Sequence, residues 1–342
     1  MTVVALDAMG GDFAPRVPVE AAARVLRAGG SGLMLVGDRE ALEAEWKKRG
    51  LPAEALREGE WLCHAPQEVA MDEAPTVVLR DKPDASVRVA CREVAQGRAA
   101  AVVSAGHTGA LMVAGKHEMG TLPGLDRPAV ATPLPVRRGF SLLLDTGANA
   151  DCRPHLLLQF ARMGRIYART VAGIERPRVA LLSNGAEPSK GNELVRSAHR
   201  LLAEALPDFI GNLEGRDLFK GRAEVIVCDG FTGNLVLKTA EAAGQQMRML
   251  MNEALAASPW TRLGHWLTRG ALQEVRRRTD YREVGGSLFL GLQGVALVCH
   301  GASNASTLIN AVNLARQCAE ANLVEALRAE FLRDGHGATA TG

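Results

Sequence analysis

The chain has 342 residues, 47% hydrophobic and 23% charged, with 40 Lys and Arg against 38 Asp and Glu. That composition is ordinary for a soluble globular protein, and the length suits one large α/β unit or two lobes around a cleft. A net charge of +2 gives no sign of a nucleic-acid surface, and no apolar run reaches the roughly 18 residues of a membrane-spanning helix.

In chain order, strands are predicted near 2–6, 32–36, 60–64 and 100–104, alternating with helices near 17–28, 40–49, 85–97 and 109–118. Ala129–Pro135 and Gly139–Asp145 flank Arg137-Arg138-Gly139 and predict a hairpin, hence a mixed sheet with an antiparallel portion. A helix over 154–172 begins at Pro154, where proline suits a first turn. A strand over 178–183, a helix over 191–206, a short strand near 209–212 and a strand over 224–229 follow. A long helix spans 233–256, and 257–290 is an odd stretch that fits no simple βα unit. A strand over 295–300 and a helix over 304–333 close the fold. The expected architecture is a single α/β domain over 1–333, three-layered, with a mostly parallel but mixed sheet. Residues 334–342, rich in Gly, Ala and Thr, are expected to be a disordered tail.

The chain opens directly on a strand pattern, so no signal peptide is expected. The six Cys form no CxxC pair, and several sit in apolar runs. They read as reduced core thiols of a cytoplasmic protein.

Six apolar runs end in clusters of small and polar residues: Asp7–Asp12, Ser104–Gly109, Asp145–Asn149, Ser183–Gly185, Asp229–Asn234 and His300–Asn304. Carboxyl ends of parallel strands share one edge, so the six are expected to build one ligand site. Glycines there let backbone N–H groups approach a ligand, and helix N-termini favour an anion. Neither GxxxxGK[ST] nor a GxGxxG after the first strand is present, so a phosphate must be held in another way. The anion candidate is the loop 183–192, where Lys190 joins Asn184, Gly185 and Asn192 at a helix start. A solvated loop lysine is the plainer alternative. In Asp229–Asn234, Gly233 permits close approach, and Asn234 and Lys238 share a helical face. Capping would explain Asn234 but not the whole run. Asp7, Gly10, Gly11 and Asp12 add carboxylates and donors, as do Ser104, Gly106, His107 and Thr108, and Asn149, His300 and Ser303. A strand-end His is more often structural than catalytic. The carboxylates do not spell a metal site of known spacing, and no metal or cofactor is expected. Cys152, Cys228 and Cys299 adjoin Asp151, Asp229 and His300; an acidic neighbour raises a thiol pKa, which favours core filling over nucleophilic chemistry.

Residues 258–270 read as a short helix with Ser258 at N-cap, Pro259 at N1 and Gly270 past its end. Trp260, Leu263, Trp266 and Leu267 share one face, Thr261, Arg262, His265 and Arg269 the other, and Arg276-Arg277-Arg278 follow. Two readings stand: an interfacial helix on an anionic membrane surface, or a core- or dimer-facing amphipathic helix.

These motifs, in this order, resemble the bacterial phosphate acyltransferase (PlsX) family of phospholipid synthesis. The likeness rests on Ala5-Leu6-Asp7-Ala8-Met9-Gly10-Gly11-Asp12, Val103-Ser104-Ala105-Gly106, Gly147-Ala148-Asn149-Ala150-Asp151-Cys152, Gly211-Asn212-Leu213-Glu214-Gly215-Arg216-Asp217, Cys228–Asn234 and His300-Gly301, and covers about 1–325. His107 stands where the family usually has Asn, and Ser183–Ala186 is a variant of its usual loop, so no essential-base role passes to His107. The resemblance implies transfer of a fatty acyl group from acyl-[acyl carrier protein] to inorganic phosphate. It implies a homodimer with a fold like the isocitrate/isopropylmalate dehydrogenases and phosphotransacetylases. It also implies delivery of the acyl phosphate to a membrane glycerol-3-phosphate acyltransferase for phosphatidic acid synthesis, by a cytoplasmic protein associated peripherally with the inner face of the membrane. On this reading Lys190, the Gly-loop N–H groups and Asn234 hold phosphate and stabilise the thioester oxygen, while Asp229 or His300 orients or trades a proton. Two rival readings are a nucleotide-dependent dehydrogenase on the same fold, which lacks a fingerprint here, and a non-enzymatic membrane-recruiting scaffold, which leaves the polar strand ends idle.

Overall fold

The computed structural model describes residues 2–57, 59–136, 139–279 and 285–337, without the side chains of Leu263, Ala271, 273–279 and 333–337. The apolar runs become short strands: β1 (Val4–Asp7), β2 (Leu33–Gly37), β3 (Leu62–His64), β4 (Ala101–Ser104), β5 (Ala129–Pro133), β6 (Leu142–Leu144), β7 (Val179–Leu182), β8 (Phe209–Leu213), β9 (Val225–Val227), β10 (Ser287–Leu290) and β11 (Val295–Val298). The helices between and after them are α1 (Arg16–Arg27), α2 (Arg39–Lys48), α3 (Val77–Arg80), α4 (Ser86–Ala95), α5 (Thr108–Glu118), α6 (Pro154–Thr170), α7 (Glu193–Ala205), α8 (Gly230–Ala256), α9 (Pro259–Thr279), α10 (Ala305–Glu320) and α11 (Leu323–Gly337).

All the strands join one sheet in the order β3-β2-β1-β4-β11-β10-β5-β6-β9-β7-β8. Successive side chains alternate between its faces, as the strand repeat requires. Val4 and Leu6 pack in one core with α1, α2, α6, α7, α10 and α11; Ala5 faces a second core with α4 and α5. Leu143 and Ile226 face a third, smaller core that the start of α8 covers through Val236. The result is three layers, as expected.

The sheet is mixed, as expected, but its reversals divide the strand ends that were expected to share one edge. β10 is antiparallel to both β11 and β5, and β5 is antiparallel to β6. These three reversals leave β6, β9, β7 and β8 running opposite to β1, β2, β3, β4 and β11. The six polar clusters therefore divide three and three between opposite edges rather than sharing one. A buried apolar run looks the same whichever way it runs, and the reversing strand β10 lies inside the stretch 257–290 that carried no strand prediction.

The β5–β6 hairpin forms as predicted, although Arg137 and Arg138 of its turn lie outside the described residues. The helix after Ser258 does not stop at Gly270; α9 runs through Gly264 and Gly270 to Thr279 and packs against α8. The single closing helix is two, divided at Asn322, whose φ of 52° is left-handed. The second extends to Gly337, so 334–337 are helical and only 338–342 of the expected tail lie outside the described residues.

Candidate functional site

The site is built around the start of α8. Asp229 caps that helix, accepting from Thr232 N at 2.8 Å and Thr232 Oγ1 at 2.7 Å. Gly230 and Gly233 then press the helix onto the turn 145–149. Gly230 N donates to Asn149 O at 2.8 Å, and a β-carbon at Gly233 would overlap the Asp145 carbonyl. The turn is itself wound around the buried Asp145 carboxylate. It accepts from the backbone N–H groups of Val130, Gly147, Ala148 and Asn149, and from Asn149 Nδ2 at 2.9 Å. Asn149 Nδ2 also donates to Pro128 O at 2.8 Å. Asp145 and Asn149 are thus committed to shaping the turn.

This packing sets Asn234 beside Gly147, at one wall of a cavity of about 300 Å³. The other polar groups of its lining are Thr108 at the start of α5, Thr146, Lys238 and Glu241 of α8, Ser287 of β10 and His300 after β11; Val130 and Val298 add apolar surface. The cavity therefore lies where the two oppositely directed halves meet, against the strands that join them. Lys238 Nζ, largely exposed, lies 3.2 Å from the shielded Glu241 Oε2. His300 Nδ1 accepts from Ala302 N at 3.1 Å, so the neutral ring carries its proton on Nε2.

The loop 183–192 lies at a second cavity, of about 390 Å³, on the other side of the α8 start. Ser183, Asn184, Gly191, Asn192, Asp229 and Thr232 line it. Asn184 Oδ1 accepts from Gly191 N at 2.9 Å, and Asn192 caps α7 through Val195 N. Ser183 Oγ is buried without a hydrogen-bond partner. Lys190 is exposed, its stem lies against Gly185, and it is in the lining of neither cavity.

The turns of the first half pack behind His300. Asp7 is buried and accepts from Ser86 Oγ and Ser104 Oγ, both at 2.6 Å. Burial pushes its carboxyl above the usual range, against the lowering effect of these donors. Gly10 lies against Gly106, and Asp12 N donates to Gly301 O at 2.9 Å near Gly11. Gly106 N donates to Ser104 Oγ at 3.0 Å. None of these residues lines either cavity. His107 caps α5 by accepting from Ala110 N, and the neighbouring Thr108 reaches the first cavity. Ser303 is buried and its Oγ lacks a partner, while Asn304 caps α10.

Of the residues singled out from sequence, the first cavity thus unites Thr108, Asn234 and His300 with Lys238, Cys299 and the Thr146–Gly147 part of the third cluster. Glu241 and Ser287 were not proposed for the site. Glu241 was legible as two turns beyond Asn234 on the face that Asn234 shares with Lys238; Ser287 was hidden with β10. Trp260, Trp266 and Leu267 are 82%, 69% and 69% exposed on α9. The Leu263 side chain and those of Arg276, Arg277 and Arg278 lie outside the described set. Among the described residues, no three His, Cys, Asp or Glu gather as a metal site, and no helix is long and apolar enough to cross a membrane.

A family model described as fatty acid synthesis protein matches residues 2–326. A phosphate acyltransferase of Heliobacterium modesticaldum is 47% identical over 325 residues, 95% of this chain and 96% of the relative. One of Geobacter sulfurreducens is 44% identical over 332 residues, covering 96% and 95%. Among solved structures, a phosphotransacetylase from Streptococcus pyogenes superposes with a TM-score of 0.62 at 18% identity, covering 95% of this chain and 94% of its own. A 4-hydroxythreonine-4-phosphate dehydrogenase from Klebsiella pneumoniae gives 0.55 at 14%, covering 93% and 100%. These two likenesses concern the fold.

Proposed function

We infer the reaction from this premise: the chain belongs to the fatty acid synthesis protein family, and it is an acyltransferase with phosphate as acceptor. The donor in this reading is a fatty acyl thioester of acyl carrier protein. A phosphate oxygen bonds to the thioester carbonyl carbon, the C–S bond breaks, and the proton of hydrogen phosphate leaves with the thiol. The products are acyl phosphate and free carrier protein.

The observation that carries the reading is the cavity at the meeting of the two halves. There the Lys238 cation, the Asn234 amide and the His300 ring line one space of about 300 Å³. Phosphate is already a competent oxygen nucleophile at neutral pH, so the protein's task is placement and charge stabilisation. Lys238 offers the charge for phosphate. The proton on His300 Nε2 makes that ring a donor for the thioester oxygen as it gains negative charge. Asp229, held by Thr232 as a cap, orients α8 in this account rather than exchanging protons.

The product would pass to a membrane glycerol-3-phosphate acyltransferase for phosphatidic acid synthesis. In the same reading the chain is cytoplasmic and homodimeric, and the exposed Trp face of α9 docks reversibly on the inner, anionic membrane surface. The deciding experiment incubates the protein with acyl carrier protein thioester and phosphate in the presence of hydroxylamine. Phosphate-dependent acyl hydroxamate is expected; thioester consumption independent of phosphate would reject the reaction.

A further inference from the structure

Beside the polar cavity, along the neighbouring stripe of α8, lies a groove of about 350 Å³. Its surface is made chiefly by Leu134, Phe219, Val236, Leu237, Ala240 and Ala243. The helical repeat explains why the two spaces adjoin. Asn234, Lys238 and Glu241 form one stripe of α8, and Val236, Ala240 and Ala243 form the next. Leu237 and Glu241 belong to both linings, so the groove begins where the polar cavity ends. Among the described residues Glu241 is the one charged member of the groove's lining, and Lys238 holds its carboxylate at 3.2 Å. Alanines at 240 and 243, where larger side chains would fill the space, keep it open.

We propose that this groove holds the hydrocarbon chain of the acyl group while its carbonyl end reacts in the cavity beside Leu237. The proposal rests on the acyl-transfer reading above and adds to it where the chain lies and which residues set its length. The groove's volume lies within the roughly 300–1,000 Å³ of small-ligand sites, and its surface is apolar where the cavity's is polar. A fatty acyl group has the same division: one reactive polar end and a chain that gains about fourfold in binding for each methylene removed from water, from ~0.8 kcal/mol per CH₂. Continuity through Leu237 lets one molecule satisfy both spaces at once. Phe219, partly exposed, lines the groove without reaching the polar cavity, so its ring bounds the chain and not the reaction.

Two readouts test this in the full chain. The first is kcat/KM for acyl-phosphate formation across acetyl, octanoyl and palmitoyl thioesters. The second is binding of palmitate alone, by calorimetry, which requires no turnover. Ala243→Phe fills the groove and is expected to lower the palmitoyl-to-acetyl ratio, and palmitate affinity, at least tenfold. Phe219→Ala widens it and is expected to leave that ratio the same or higher. Palmitate binding and a chain-length ratio that are the same in wild type and in folded Ala243→Phe would overturn the proposal. So would altered oligomeric mass of Ala243→Phe with undiminished palmitate binding, since a second copy of the chain would then be what covers the groove. If no thioester yields acyl phosphate but Ala243→Phe still loses palmitate, the groove assignment stands and the reaction assignment fails.

Discussion

Two lysines are candidates to hold phosphate in the proposed reaction, and their surroundings differ. Lys238 lines the cavity with Asn234 and His300, whereas Lys190 projects from the 183–192 loop outside both cavities. Lys238→Ala is expected to raise the phosphate KM about ten- to a hundredfold, the scale of a lost charged contact. Lys190→Ala should change it less. Steady-state kinetics with phosphate as the varied substrate would give the opposite ranking if phosphate is held by the 183–192 loop itself. The cysteines give a second expectation. Burial, with Asp145 and Asp229 adding to it, pushes the Cys152 thiol up to about 11; burial pushes Cys299 to about 12 and Cys228 well above its usual value, the same carboxylates contributing for Cys228. A thiol at 11 is about one part in ten thousand thiolate at pH 7. Cys152→Ala, Cys228→Ala and Cys299→Ala should each retain most activity, and mass spectrometry should find no acyl group on these sulfurs during turnover.

At the scale of elements, α8 is the member on which the site depends. Its first turn is keyed to the 145–149 turn by Gly233, beneath which lies a backbone carbonyl that cannot rotate aside as a side chain can. Gly233→Val should cost ~1–3 kcal/mol of stability or more, read by denaturant titration, and should depress activity further than the lost folded fraction explains. A thermally normal, fully active variant would mean the helix start can shift freely. α9 offers a different test. Its exposed Trp260 and Trp266 are the anchors of the membrane reading, and a helix with few anchors binds only modestly. The double change Trp260→Glu with Trp266→Glu should abolish co-sedimentation with anionic vesicles while solution acyl-phosphate formation persists. Retained vesicle binding would dismiss the Trp face as the contact. The strand and helix alternation was legible because each run is continuous and apolar. What the polar residues at the strand ends do was not. His107, Asn192, Asp229 and Asn304 all fold back onto backbone N–H groups of the helices they begin, and a capping side chain has the same residue types as a ligand-binding one.

For the molecule as a whole, the informative feature is the opposition of its two half-sheets across β10 and β5. Sequence periodicity carries no sign of strand direction, and β10 is only Ser287–Leu290, so the single shared edge anticipated for six clusters became two edges and a cleft. Within that cleft the legible part was Thr108, Asn234, Lys238 and His300. The illegible part, Ser287 and the placing of Thr108 and the α8 residues around one cavity, depends on positions far apart in the chain, which no local pattern records.

Strand β11 comes after the other described strands in the chain, yet it sits mid-sheet between β4 and β10. On the ribosome, β4 therefore presents an unpaired, largely apolar edge until Val295–Val298 emerges, whereas β6, β7, β8 and β9 follow one another closely and can pair earlier. Such an edge invites pairing with other chains. The newborn chain is thus most vulnerable late in translation, and its second half should reach protease resistance first. A chain released after Thr279 should show protected fragments from 142–256 and rapid cleavage within 1–125. Equal protection of both halves would mean that the first half closes without its final strand.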